Sequence, residues 1–345
     1  MKKIILLFIM LLTLNGCSKT TPDGIVKEFS KKVDKSSSYK ITGTMEISND
    51  EETFTYNLES FYMKDDYYKV ILVNKSNNHE QVILKSNGEV YVITPELNKS
   101  FKFQSEWPDN SSQSYLLGSI INDLESDESI KLIEKDNNYV IKSKVNYVNN
   151  KELTNQKVYF DKNMNLLKVE VLDSNDLVKI KVVFDKIDLK ANLTEDDFDI
   201  SEYIDNYEDI NCDNSECNNK EESDTPSSYT LDSIIYPLYV PTDTNLTHEE
   251  TIKTTDGNRV ILTFTGVKNF VLIEESAKSE ETMKIVPVYG DPLILPNTIG
   301  ALTSNSVTWD ANNVTYYLAS SDLSKEEMLT IANSLGNTTQ VSKEK

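Results

Sequence analysis

Over residues 39–184 the chain repeats one unit: a short run of alternating apolar and polar residues, then a turn dipeptide. Tyr39, Ile41, Met45 and Ile47 alternate with polar neighbours, and Phe54, Tyr56 and Leu58 keep the same beat. Successive side chains of a strand point to opposite faces, so this period of two predicts strands with one face buried. Further runs fall at 67–73, 80–86, 89–94, 99–103, 130–134, 138–147, 156–160, 165–172 and 178–184. Asn49-Asp50, Asp65-Asp66, Asn77-Asn78, Asn87-Gly88, Lys162-Asn163 and Ser174-Asn175 punctuate them. Tight turns can join only antiparallel neighbours, so the pattern predicts an antiparallel meander, with Asn87-Gly88 its clearest hairpin. A sheet of this size must bury one face, and two amphipathic segments stand ready to cover it. Thr21-Pro22 reads as the cap and first position of a helix that carries Ile25, Val26, Phe29 and Val33. Residues 114–124 put Leu116, Leu117, Ile120, Ile121 and Leu124 on one helical face.

The character changes at residues 195–224, where acidic residues accumulate against a single base, Lys220. Phe198, Ile200 and Tyr203 at the front of this stretch are apolar enough to dock on the sheet, while the remainder reads as a solvated spacer. Beyond it, 249–255, 259–265, 271–273, 305–309 and 314–318 read as strands, and 288–302, interrupted by Pro and Gly, as a loop. Ser324-Lys325-Glu326-Glu327 is a capping box, Met328, Ile331, Ala332 and Leu335 form the stripe behind it, and Gly336 is placed to stop the helix. The expected organisation is a β-rich α+β chain: a leader at 1–16, a half-barrel domain at 17–205, an acidic linker at 206–228 and a small α+β domain at 229–340.

The leader is Met1-Lys2-Lys3, an apolar run over 4–14, and Leu14-Asn15-Gly16-Cys17. The run is too short to span a bilayer as a helix and has the form of a secretory signal. A small residue before a cysteine at this border resembles a bacterial lipobox. That resemblance implies cleavage before Cys17 and a diacylglyceryl group, with palmitate-type chains, on its sulfur. Each buried CH₂ contributes about 0.8 kcal/mol, so two or three chains hold firmly where one does not. The chain is then expected on the outer face of the cytoplasmic membrane. Its Lys/Asn/Ile-rich, Arg-poor composition is similar to that of A+T-rich Gram-positive bacteria.

Composition removes several function classes. The formal net charge is −21, which opposes nucleic-acid binding, because phosphates need clustered cations. Arg259 is the sole arginine, and His79 and His248 are the two histidines. Each histidine reads as a surface residue, and no P-loop or dinucleotide fingerprint occurs, so no enzyme, cofactor or metal site is expected. Cys212 and Cys217 flank four residues in the acidic segment. Outside the cytoplasm they are expected to pair as a disulfide, with free thiols or a metal site as the open alternatives. Tyr62, Tyr67, Tyr68, Tyr91 and Trp107 read either as core packing or as the lining of a groove.

Three features of residues 21–200 meet: the helix ahead of the first strand, the run from Ser86-Asn87-Gly88-Glu89-Val90-Tyr91 through Thr94-Pro95 to Asn98-Lys99, and the close Phe184-Asp185-Lys186-Ile187-Asp188-Leu189 with Leu193 and Asp197-Phe198. Together they resemble the LolA/LolB-like carrier superfamily. The two-part layout is similar to RseB/MucB regulators, and the first half also resembles clostridial germination-specific lipoproteins. The tail around Val307-Thr308-Trp309 and Val314-Thr315-Tyr316-Tyr317-Leu318 is similar to a small Gram-positive domain of unknown function. The resemblance implies an incomplete, curved antiparallel barrel closed by helices, with an apolar concave face that takes an acyl chain or a segment of a partner. An anti-sigma factor or a cell-wall amidase is the implied partner. The leading expectation is non-enzymatic binding in envelope sensing or in sporulation and germination. A lipoprotein carrier and a solute-binding lipoprotein are the alternatives. Cys17→Ala is expected to move the protein from the membrane to the soluble fraction on cell fractionation, and unchanged membrane recovery would reject the anchor.

Overall fold

The computed structural model describes residues 20–49, 52–135, 138–203, 231, 233–255, 257–280 and 282–335. Helix α1 (Pro22–Asp34) opens it, capped by Thr21, whose side chain accepts from Gly24 N. Six strands follow: β1 (Ser38–Ser48), β2 (Thr53–Met63), β3 (Tyr67–Asn74), β4 (Glu80–Ser86), β5 (Glu89–Thr94) and β6 (Lys99–Phe103). Helix α2 (Leu117–Ser126) interrupts, and β7 (Lys131–Lys135), β8 (Asn138–Lys144), β9 (Leu153–Phe160), β10 (Leu166–Asp173) and β11 (Val178–Asp188) resume the meander. Asn87 and Gly88 both have positive φ, as the tight hairpin predicted there requires.

One large sheet results, with β15 (Lys284–Val288) from later in the chain at one edge, in the order β15-β6-β5-β4-β3-β2-β1-β11-β10-β9-β8-β7. The two ends of the meander are joined by the β1–β11 pairing. Rows of opposed residues cross it: Leu132, Ile141, Val158, Val169, Val182, Met45 and Tyr56 form one inner row. Helices α1 and α2 lie on that face, and residues from both flanks of the sheet share one core with Ile25, Phe29, Leu117 and Ile120. An open sheet whose distant strands reach the same two helices is wrapped around them, the half-barrel that the sequence implied. Gly43 marks the bend: a Cβ there would lie 2.3 Å from Val183 O, at the irregularity in the β1–β11 register. No other residue tolerates so close a backbone approach.

The outer face is covered too, over β2–β5. Phe198 is fully buried against Val82, Leu84, Tyr91 and Ile93, on short 3₁₀ turns at Glu195–Phe198 and Ile200–Tyr203. The apolar front of the acidic segment therefore docks on the sheet. Burial on both faces explains why β4 and β5 read as nearly unbroken apolar runs.

The second sheet comprises β12 (Thr244–Thr254), β13 (Gly257–Gly266), β14 (Phe270–Ser276), β16 (Asp291–Leu295), β17 (Thr298–Leu302), β18 (Ser306–Ala311) and β19 (Val314–Ala319), in the order β12-β13-β14-β19-β18-β17-β16. Helix α3 (Lys325–Asn333) packs on it behind the capping box of Ser324 and Glu327. Phe264 stacks on Phe270 with centroids 4.3 Å apart, and Trp309 on Tyr316 at 5.0 Å.

Residues 288–302 correct the sequence reading, because β16 and β17 form a hairpin there. Pro292 is accommodated because β16 is the edge strand, where a missing N–H costs no ladder bond. Gly300 is a packing glycine: a Cβ would sit 2.8 Å from Thr308 O and 3.0 Å from Trp309 Cβ. Strand β15 (Lys284–Val288) joins β6 in parallel instead of the second sheet. Lys284 N donates to Asn98 O and Gln104 N to Val288 O, so alternate residues of β15 face β6 and Pro287 turns its missing donor outward.

The two sheets are fastened by more than β15. All of β17 is buried, with Ile299 and Ala301 in the first core and Leu302 in the second. Gln81 Oε1 accepts from Ile299 N at 2.6 Å and from Thr298 Oγ1 at 3.2 Å, while its Nε2 donates to Ile299 O at 3.2 Å. Tyr56 OH donates to Pro296 O at 2.6 Å, and Lys99 bonds both oxygens of buried Asp310 at 2.9 Å. Gln81→Leu keeps the volume but strands the backbone groups of Ile299 in an apolar site. It is expected to cost about 2 kcal/mol in a urea titration of the full chain, against under 0.5 kcal/mol for the exposed Glu52→Gln.

Candidate functional site

The concave face is largely filled by the chain itself. Tyr39, Tyr62, Tyr68 and Trp107 form a continuous series of rings, with successive centroids 4.8, 5.1 and 6.0 Å apart. Of the aromatic residues singled out from sequence, Tyr62, Tyr68 and Trp107 belong to this inner core, whereas Tyr67 and Tyr91 pack on the outer face. Core packing is thus their main use, and among them Trp107 alone also lines the cavity described next.

A cavity of about 410 Å³ remains where the mouth of the half-barrel meets the second sheet. That size lies within the range of small-ligand sites. Its floor comes from the first sheet, the segment ahead of α2 and the β8–β9 connection: Ile47, Trp107, Tyr115, Tyr147, Leu153 and Ile180. Its roof comes from the second part: Leu238, Tyr239, Pro292, Leu293, Ile294 and Asn333. Leu238 is 63% exposed and Tyr239 39%, and Tyr289, two residues before the lining Asp291, is 76% exposed. Large apolar side chains left in water at a rim are the usual mark of a contact surface.

Polar groups tie the two walls together. Asp291 accepts from Ser105 Oγ at 2.6 Å and Asn110 Nδ2 at 2.9 Å, and Lys325 Nζ donates to Asn149 Oδ1 at 3.3 Å. Below the floor, Asp123 of α2 accepts from Ser112 Oγ at 2.8 Å and Gln156 Nε2 at 3.3 Å. Ser112 in turn receives Asn146 N at 2.7 Å, so one carboxylate fixes both loops of the floor. Burial pushes the Asp123 carboxyl up to about 6, against the pull of those two hydrogen bonds. The lining also carries the carboxamides of Asn49, Asn110, Gln113, Asn149, Asn150 and Asn333. Asn333 Oδ1 is buried and has no hydrogen-bond partner among the described residues. A dry acyl chain would leave this oxygen unsatisfied, at about 1–3 kcal/mol, whereas a peptide or other polar guest can donate to it.

Sequence reasoning missed Tyr115, Tyr147 and the 238–239 segment. Their apolar character was visible, but the lining is assembled from loops that only the docking of the two sheets brings together. The other singled-out residues fall elsewhere. Cys17, Cys212, Cys217 and Gly336 lie outside the described residues. His79 is in a turn, with Nδ1 3.0 Å from Glu96 Oε2, and His248 is exposed on β12. Among the described residues no three His, Cys, Asp or Glu side chains form a metal-binding group.

The second sheet also holds a buried acid. Glu274, on the core side of β14, is fully buried; its Oε2 accepts from Ile235 N at 3.0 Å and its Oε1 has no partner among the described residues. Burial pushes its carboxyl up to about 7, against that hydrogen bond. The folded state therefore holds a proton that the unfolded chain releases, and stability falls as pH rises from the ordinary carboxylate range to about 7. Glu274→Gln removes this loss. It is expected to stabilise the protein by about 2 kcal/mol above pH 7 and by almost nothing near pH 4, as read from thermal melts across pH.

The model of the family described as sporulation protein YdcC-like matches residues 1–198. The curated "Sporulation protein YdcC" of Bacillus subtilis (strain 168) is 36% identical over 344 residues, covering 97% of this chain and 98% of that one. Among solved structures, the Pseudomonas aeruginosa MucA/MucB complex matches at 11% identity and TM-score 0.32, over 90% of this chain and 97% of that one. The complex of the CwlD amidase from Clostridioides difficile with the GerS lipoprotein matches at 19% identity and TM-score 0.29, over 49% and 95%. A LolA superfamily protein from Nitrosomonas europaea is also similar. Matched over more than half its length by the family model and along nearly all of it by that curated relative, the chain belongs to the sporulation protein YdcC-like family.

Proposed function

We propose that this protein is a non-enzymatic binding protein of spore formation, held on the outer face of the cytoplasmic membrane by lipid on Cys17, whose cleft takes a segment of a partner protein. The observation that carries the reading is the cleft itself: about 410 Å³, with a carboxamide-rich lining and an exposed apolar rim of Leu238, Tyr239 and Tyr289. Tyrosine is enriched among the residues that dominate protein contacts, and Asn333 Oδ1, which has no partner among the described residues, can accept from a peptide N–H. Membership of a sporulation family supports the process, and the lipobox-like Gly16-Cys17 supports the location. An anti-sigma factor and a cell-wall amidase are the partner classes to try first, since MucB and GerS are solved in complexes with MucA and the CwlD amidase respectively.

A photo-reactive amino acid at Leu238 tests this in sporulating cells. It is expected to give an adduct with one protein, and Leu293→Trp, which fills the cleft, is expected to reduce that adduct at least tenfold. Tyr239→Ala together with Tyr289→Ala is expected to weaken the isolated complex by about 10- to 100-fold. A lipid retained in native mass spectrometry and expelled by Leu293→Trp, with no protein adduct, would replace this reading with an acyl-chain carrier.

A further inference from the structure

The two sheets have four edges, and three of them are blunted. β15 carries Pro287, β16 carries Pro292, and β7 is five residues long. Proline and short length are the ordinary protections of a sheet edge. The fourth edge, β12, has neither. It runs for eleven residues without proline, and ten of them, from Asn245 to Thr254, are exposed. Among the described residues it pairs with β13 alone, and its one irregularity, a register shift between Leu246 and His248, precedes the stretch 249–254.

The register decides which backbone groups face outward. Thr254 opposes Gly257 across a two-residue connection, and in such a hairpin the closing residues form a hydrogen-bonded pair. Hydrogen-bonded and non-hydrogen-bonded pairs then alternate, so Ile252 and Glu250 also bond to β13. Lys253, Thr251 and Glu249 direct their N–H and C=O groups to the open side. The same alternation puts the side chains of Glu249, Thr251 and Lys253 on one face.

These three residues are complementary to themselves. When two copies of β12 meet antiparallel about a two-fold axis at Thr251, Thr251 opposes its own copy. Glu249 then opposes Lys253, twice. On the reverse face Ile252, 37% exposed, lies opposite Glu250. All three outward-facing residues fall on hydrogen-bonded positions in this register, and the Glu249–Lys253 pair, formed twice, joins opposite charges. A one-residue slip would place Glu249 opposite Ile252 or Thr254, break both charge pairs and leave the backbone groups out of phase. We infer that β12 is a self-association edge, through which two copies of this chain pair antiparallel about Thr251 into one continuous sheet. The contact is small, so the dimer is concentration-dependent. Glu249 also accepts from Tyr236 OH at 2.7 Å, which orients its carboxylate without using both oxygens.

The test uses the full-length chain in detergent, with Cys212 and Cys217 replaced by serine. Opposed Cα atoms of a hydrogen-bonded pair lie about 5.5 Å apart, within disulfide reach. Thr251→Cys is therefore expected to give a disulfide-linked dimer on mild oxidation, and Glu250→Cys at least tenfold less. Sedimentation of the uncrosslinked protein is expected to show a monomer–dimer equilibrium weakened about tenfold by Glu249→Lys or by Lys253→Glu. The double charge swap is expected to restore it, an outcome that misfolding or loss of the Tyr236 contact would not produce. A monomer at every concentration, equal crosslinking at 250 and 251, or a charge swap as weak as either single change would each overturn the inference.

Discussion

The whole architecture answers one requirement: a twelve-stranded open sheet has an apolar inner face that must be taken out of water. Helices α1 and α2 cover the middle of it, contributing Ile25, Phe29, Leu117 and Ile120 to the same core as the strands. They do not reach the far mouth. The β16–β17 hairpin from the second sheet closes that part, and Gln81 receives it by matching both backbone groups of Ile299. The second sheet is thus part of the enclosure of the first, which is why β17 is buried along its whole length.

The cleft follows from this closure. Two curved layers meeting at a mouth leave a gap, and its walls here combine strand ends with loops. Loop backbone and side chains bring polar atoms that strands would have tied into a ladder, so the gap is lined by carboxamides as well as rings. Half-buried Asp123 below the floor fixes the loops on either side of it, and buried Glu274 in the second sheet holds the backbone at Ile235. Each retains its proton well above the ordinary carboxylate range because burial outweighs its hydrogen bonds.

Much of this was legible from residues. The alternation from Tyr39 onward, the turn at Asn87-Gly88, the caps at Thr21 and Ser324 and the apolar front at Phe198 are local signals, and each reappears as an element or a contact in the structure. The hairpin at 291–302 was not legible. Pro292 and Gly300 look like breakers in a linear reading, and they are tolerated because one lies at a sheet edge and the other beneath Thr308 and Trp309. Which aromatics turn inward was equally hidden: alternation separates Tyr67 from Tyr68 but does not say which of the two faces the helices.

The sequence by itself determined the period of two, the turns, the helix caps and the charge, because these depend on interactions within a few residues of each other. Only the tertiary structure decided which face of each strand turns inward, that one strand of the second part joins the first sheet, and where the cleft lies. Those outcomes depend on residues more than a hundred positions apart meeting across a layer, and such meetings leave no local pattern for a linear reading to find.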